Sequence, residues 1–457
     1  VPLLVTGPFL PDLLLSLLSL WFLYYIFRNK IFYIFKNKFF YLFLAFCLVC
    51  IFSSLMSDNI LLSFESSLFY FRIGIFCLLI SYLIDKDQKF LSYFFYTLII
   101  TFSITIFYAF IIYFFQLNPH PIRVSSFFGD ELILGSYLSR LLPLIIALFL
   151  IRKNKSYLEK NLFIVFIVLT YFAIVLSGER AAFFYLNLSL IFILIFVKIN
   201  VKLFFTLIII AITSAYIFFL SMENIKTGRL LFERYTTSLI IQMNIWNPPV
   251  KLEPNPEKPA PFNTAEPEPK LNTDEPEPKL NTDEPSLFKQ DSIDVESGLI
   301  EIRNRPPMFA TGLKYKKMVW FTEGHDSLYR TALNMFLDKP IIGQGPKMFR
   351  VKCSDENYSI GIAPCMTHPH NFYIQLLAET GIIGFSFLFF LFIYVCFLSI
   401  KYFYYNFIKN KKLYSNYQIC LLACLMITIW PIVPNGNFFN NHLMILYSLP
   451  LGFFKKT

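Results

Sequence analysis

Charge is what this chain has least of. Asp, Glu, Lys and Arg make up 15% of its 457 residues, where soluble domains carry about 25%. That shortfall excludes an ordinary water-soluble fold. The eight cysteines lack the clear paired spacing of a zinc site. No inverted repeat with polar residues at mid-span marks a transporter. What the chain has instead is 56% hydrophobic residues and a mean hydropathy of +0.56. Many apolar runs are about 17–25 residues long, enough to cross a bilayer core. The expected class is an all-α polytopic membrane protein. The net charge of +10 needs no nucleic-acid partner, because basic loops on one side of the membrane account for it.

Lys and Arg are also missing from alternate loops. Spans read at 12–27, 39–56, 66–84, 90–116, 132–151, 162–176, 181–197, 203–220, 371–396, 416–433 and 438–454. The loops "RNKIFYIFKNK" (28–38), "DKDQK" (85–89), "RKNKSYLEKN" (152–161), "KINVK" (198–202) and "KYFYYNFIKNKKLY" (401–414) are basic. Those between them, such as "SDNILLSFES" (57–66) and "PNGNFF" (434–439), have almost no positive charge. The alternation places the C-terminus in the cytoplasm and 221–370 on the opposite, outer side. Eleven spans leave the N-terminus outside, and the sequence opens on Val within an apolar stretch. A twelfth span upstream is the expectation. Three regions follow: membrane helices in 1–220, an outer segment over 221–370, and membrane helices in 371–457.

Within the outer segment, 247–287 is rich in Pro, Glu and Lys and repeats "FNTAEPEPK", "LNTDEPEPK", "LNTDEPSLF" every nine residues. It has too little apolar surface to fold, so it reads as an extended insertion without a catalytic role. Helical periodicity returns within 320–350, at Leu328, Ala332, Met335 and Phe336. Cys353 and Cys365 are the only cysteines of the outer segment. An oxidising compartment would join them; a metal site with His368 and His370 is the alternative.

Polar groups gather at the outer boundary. "THPHN" brings His368 and His370 to the mouth of a helix, and imidazole titrates near neutrality, as a general base requires. Asn371 can cap that helix. Gln375 and Glu379, four apart, share a face, and a carboxylate in a span needs a partner or a cavity. In "LSGERAAFF" a very short turn holds Arg180 at the surface, suited to phosphate. "SSFFGDELILGSYLSRLLP" puts Asp130 and Glu131 at the mouth and Arg140 inside a span. Arg123, Arg330, Lys339, Lys347 and Arg350 add positive charge on the same side, a basic vestibule fit for an anionic lipid headgroup. The plainer alternatives are solvated histidines, a Glu379 paired with a neighbouring helix, and a snorkelling Arg180.

Three stretches resemble one family. "THPHNFYIQLLAETGIIGF", "LSGERAAF" and "YRTALNMFLDKPIIGQGPKMF" are similar to signatures of the O-antigen ligase and O-antigen polymerase superfamily. They fall in that order, on one side of the membrane. The resemblance implies a glycosyltransferase of the Gram-negative inner membrane, helical and GT-C-like, usually with twelve spans and a periplasmic active site. It implies an undecaprenyl-diphosphate-linked glycan as donor, lipid A-core as acceptor for a ligase, and no metal, nucleotide or other cofactor. It carries the catalytic base onto His370 and diphosphate binding onto Arg180. A second arginine that begins the outer helix in many members is here His325. The second cation is therefore Arg330, Arg140 or His325. His368, Asn371 and Glu379 take supporting roles. A polymerase would use a second lipid-linked glycan as acceptor, a protein O-oligosaccharyltransferase a protein, and a polyprenyl-sugar transporter would transfer nothing.

Overall fold

A computed structural model describes residues 2–87, 89–117, 123–197, 323–361 and 363–454, all within one compact unit. The expected span 203–220 and the repeat insertion 247–287 lie outside these residues. Thirteen α-helices run through the described residues in chain order: α1 (Phe9–Asn29), α2 (Lys38–Leu55), α3 (Ile60–Ser67), α4 (Phe71–Lys86), α5 (Lys89–Phe114), α6 (Leu134–Ile151), α7 (Tyr157–Leu176), α8 (Arg180–Phe196), α9 (Glu323–Asp338), α10 (Phe349–Lys352), α11 (Phe372–Phe403), α12 (Asn416–Thr428) and α13 (Asn441–Phe453). Among the described residues, seven helical stretches are long and apolar enough to cross a membrane. Helices α8 and α12 are shorter and apolar. The protein is an all-α, multi-pass membrane protein.

Helix starts follow local chemistry. Ser156 and Glu159 form a reciprocal capping box that starts α7, so its first turn takes in residues that the sequence reading gave to a basic loop. Ser415 and Gln418 do the same for α12, and Asn37 accepts from the Phe39 N–H at α2. Each cap satisfies backbone donors that the helix cannot. Helix α6 is buried along almost all its length and packs against α12 and α8, forming the bundle's central post.

The expected span 66–84 begins earlier and is bent. Asn59 caps α3 through the Leu62 N–H, and residues 68–70 join α3 to α4. The buried face of α3 is serine rather than leucine. The Ser54 and Ser67 hydroxyls lie 2.7 Å apart, and Ser63 donates to Ser54 at 2.9 Å. A polar buried face reads as a loop in sequence. The expected span 416–433 stops at Thr428 and the expected span 438–454 starts at Asn441. The apolar residues between them form an irregular segment that belongs to the site.

Helix α11 is interrupted at Gly381, whose φ is 64° and ψ −167°. The break frees backbone groups on both sides, and "KPIIGQG" fills it. Gln344 and Gly345 N–H groups donate to the Ala378 and Glu379 carbonyls, both at 2.9 Å. The Ile382 N–H donates to the Pro340 carbonyl at 2.8 Å. Broken helix at membrane depth is tolerated only when protein satisfies it in this way. Two glycines allow the approach. A Cβ on Gly343 would lie 2.4 Å from the Glu379 carbonyl carbon, and one on Gly381 would lie 2.3 Å from the Ile341 oxygen. Ser53 of α2 sits across the joint, its hydroxyl 2.7 Å from the Ile342 carbonyl and 2.8 Å from that of Glu379.

Candidate functional site

The strapped break fixes the start of α11, and with it the histidines. Asn371 caps the helix, its Oδ1 accepting from the Tyr373 and Ile374 N–H groups at 3.0 and 3.2 Å. Its Nδ2 donates to the Pro431 carbonyl at 2.7 Å. His370 immediately before it has φ of 56°, left-handed backbone uncommon outside glycine. The turn at His370 separates the loop from the helix. Its carbonyl accepts from the Asn435 N–H at 2.8 Å.

Three imidazoles then come together. The His370 ring centroid is 4.2 Å from that of His368 and 5.8 Å from that of His325 on α9. Burial lowers the His370 pKa, and His325 lowers it further. Burial lowers His325, and the nearby Arg180 guanidinium adds to this. His368 is buried and falls to about 3, through burial and then His370. Each loses more solvation as a cation than its surroundings return. The cluster is neutral at physiological pH, the state in which an imidazole accepts a proton. Among the described residues, no cluster of three His, Cys, Asp or Glu has the arrangement of a metal site.

Arg180 opens α8, exposed at the end of the "SGER" turn. The turn is anchored by its neighbour. Glu179 accepts from the Gly135 N–H at 2.7 Å and from the Ser136 hydroxyl and N–H at 2.6 and 3.2 Å. Its carboxylate thus faces the N-terminus of α6, where the helix dipole favours an anion. Glu179 fixes the base of the turn that carries Arg180. The sequence analysis singled out Arg180 in this turn and not Glu179. The clue was a carboxylate in a four-residue turn opposite "LGS" at a helix start.

The other expected cations divide. Arg330 pairs with Asp326 at 2.9 Å, one turn back on α9. Lys339 pairs with Asp58 at 3.0 Å and Lys347 with Glu65 at 3.1 Å; Lys352 also reaches Asp58. Arg123 donates to the carbonyls of Leu132 and Ser177. Two cations of the expected basic vestibule, Lys339 and Lys347, are thus met by acidic residues between α2 and α4, and Arg330 by Asp326 on α9. Arg180 and Arg350 remain as the exposed arginines of that group.

Glu379 is fully buried on α11. It accepts from the Phe349 N–H at 3.0 Å and from Gln375 at 2.9 Å, tying α10 to α11 rather than facing the histidines. Cys353 and Cys365 are joined by a disulfide that closes the loop leading to His368. Arg140 is buried on α6, with Asn435 between it and His370.

The irregular segment 429–440 is the part that sequence reasoning missed. Asn435 holds His370 by its backbone and meets Arg140 and Tyr185 by its side chain. Gln375 donates to Asn437 at 2.8 Å and accepts from the Phe438 N–H at 2.9 Å. "PNGN" carried a signal in its two asparagines, spaced two apart beside an apolar run, but nothing local names their partners.

Fold and site together define a multi-pass membrane protein with a neutral histidine cluster beside an exposed arginine at one end of a helical bundle. A family model, O-Antigen ligase, matches residues 326–389. The match runs from α9 through the strap, the disulfide and His370 to the broken part of α11, and it supports membership in that superfamily. No curated protein and no solved structure matches the chain.

Proposed function

We propose that this protein is an O-antigen ligase-like glycosyltransferase. It moves a glycan from undecaprenyl diphosphate to a hydroxyl of lipid A-core, at the periplasmic face of a Gram-negative inner membrane. The observation that carries the reading is the meeting of His370, His325 and Arg180 where the matched segment enters α11. The donor diphosphate lies against Arg180, whose charge persists at any relevant pH. His325 is the second contact, since Arg330 is engaged with Asp326 on its own helix.

His370, held neutral by burial, takes the proton of the acceptor hydroxyl as that oxygen attacks the anomeric carbon. The anomeric carbon–oxygen bond to the diphosphate breaks, and undecaprenyl diphosphate leaves with the electron pair. Arg180 stabilises the charge that develops on it. One displacement inverts the anomeric configuration. No metal or other cofactor takes part in this scheme.

The test is a transfer assay on purified protein with His370→Ala and Arg180→Ala. Both variants insert and fold, and both lose transfer. Full activity in both sinks the mechanism. Lipopolysaccharide from a deletion strain reports the acceptor. Loss of long-chain lipopolysaccharide with accumulating lipid-linked polymer supports lipid A-core. A single repeat on lipid A-core points to a second lipid-linked glycan, and unchanged lipopolysaccharide with an unglycosylated surface protein points to a protein.

A further inference from the structure

Arg140 is a buried cation with neutral neighbours. It is 1% exposed, and no carboxylate pairs with it among the described residues. Its guanidinium is held between the rings of Tyr185 on α8 and Tyr447 on α13, at 4.5 and 4.4 Å. It donates to the Ile427 carbonyl at 3.3 Å and to Asn435 Oδ1 at 2.9 Å. Burying an unpaired guanidinium in a membrane bundle is costly, so its contacts must serve the fold or the chemistry.

Those contacts converge on one residue. Asn435 Oδ1 also accepts from the Tyr185 hydroxyl at 2.8 Å. The Asn435 N–H in turn donates to the His370 carbonyl at 2.8 Å, at the backbone position with φ of 56°. A side chain held in sparsely populated backbone keeps its place only if the surroundings over-determine it. The path from guanidinium to imidazole therefore runs Arg140, Asn435, His370, through two hydrogen bonds of normal length.

We propose that Arg140 is a positioning residue, which fixes His370 from behind through Asn435 and does not touch the donor diphosphate. The proposal rests on His370 being the base of the proposed reaction. The planar guanidinium spans Ile427 and Asn435 while facing two rings; a lysine ammonium keeps the charge but not the fork.

The test uses the full chain in lipid nanodiscs with a polyprenyl-diphosphate-linked glycan as donor. Arg140→Lys and Asn435→Ala each lower kcat about 10- to 100-fold, the range that a small misplacement of a reacting group costs. Donor KM stays within about twofold, since uniform donor binding is untouched. The double variant is no worse than the poorer single, because both act on one link. A rise in donor KM for Arg140→Lys, with effects that multiply in the double variant, assigns Arg140 to the diphosphate and overturns the proposal. So does wild-type kcat in both singles. Should Arg140→Lys not fold, Asn435→Ala and Tyr185→Phe give the same reading from the other end. An active His370→Ala would instead overturn the underlying mechanism; an inactive His370→Ala beside a fully active Asn435→Ala overturns only the positioning role.

Discussion

The joint between the "KPIIGQG" strap and the broken helix α11 predicts a large effect from one methyl group, Gly343→Ala. Gly343 has φ of 71°, where an L side chain costs about 1–2 kcal/mol. The new Cβ would sit 2.4 Å from the Glu379 carbonyl carbon and the Thr380 nitrogen. Both are backbone atoms of a buried helix and cannot rotate away. Reaching ordinary contact requires a separation of about 1 Å more. That stretches the Gln344–Ala378 and Gly345–Glu379 hydrogen bonds, now 2.9 Å each, beyond bonding distance. Each buried bond lost costs about 1–3 kcal/mol. The sum is about 3–8 kcal/mol, a large share of the stability of a domain. The control is Gly324→Ala on α9, where a Cβ meets nothing within 4 Å. Thermal unfolding and glycan transfer of the two purified variants check the reasoning. Gly343→Ala unfolds at clearly lower temperature and has lost most of its transfer, while Gly324→Ala stays within about 1 kcal/mol of wild type. Equal unfolding temperatures and equal transfer refute the claim that the strap and helix are joined backbone to backbone.

Further predictions concern pH, redox and charge. Because the pKa values of His370 and His325 are lowered, the neutral base persists below pH 6.5. The acid limb of the kcat/KM profile, which reports the free enzyme, therefore has its midpoint under 6.5, and a midpoint above 7 contradicts a buried neutral base. Folding stability moves the same way. His368 has a folded pKa of about 3, so between about pH 6.5 and that value the unfolded chain binds more protons than the folded one. Stability then falls with falling pH by at most about 1.4 kcal/mol per pH unit. His368→Gln flattens that slope in pH-dependent unfolding; an unchanged slope removes His368 as its source. Reducing the Cys353–Cys365 disulfide, or replacing both cysteines with Ser, costs about 3 kcal/mol and lowers transfer, since the closed loop leads to His368. Full activity after verified reduction detaches the disulfide from the site. Asp58→Asn breaks the exposed pairs with Lys339 and Lys352 and changes stability by no more than about 1 kcal/mol; a larger loss in unfolding shows that these pairs clamp the loop.

The parts that were legible in sequence are those whose physics is local. Apolar runs long enough to span a bilayer announced α1, α2 and α5. The cap at Asn371 and the turn holding Arg180 could be read from a few neighbouring letters. The break at Gly381 could not, because "GIIGF" is apolar throughout and the residues that satisfy it lie some forty positions earlier, at Pro340–Gly345. Helix α3 was hidden because its buried face is serine. The end of α12 was hidden for the opposite reason, since Ile429–Val433 is apolar enough to pass for a span. Most distant of all, Arg140, Tyr185 and Asn435 meet at one oxygen from three separate parts of the chain. Arg140 looked like a phosphate ligand in sequence because an intramembrane arginine needs a partner; nothing in the sequence says that the partner is an asparagine amide and two tyrosine rings.

In the proposed reaction His370 is the proton acceptor in a glycan transfer whose donor is held by Arg180. One measurement separates the two roles: donor binding and transfer for wild type, His370→Ala and Arg180→Ala, each reconstituted with an undecaprenyl-diphosphate-linked glycan and lipid A-core. His370→Ala is expected to bind donor with wild-type affinity and transfer nothing, whereas Arg180→Ala loses both. Transfer at the wild-type rate by His370→Ala contradicts this assignment.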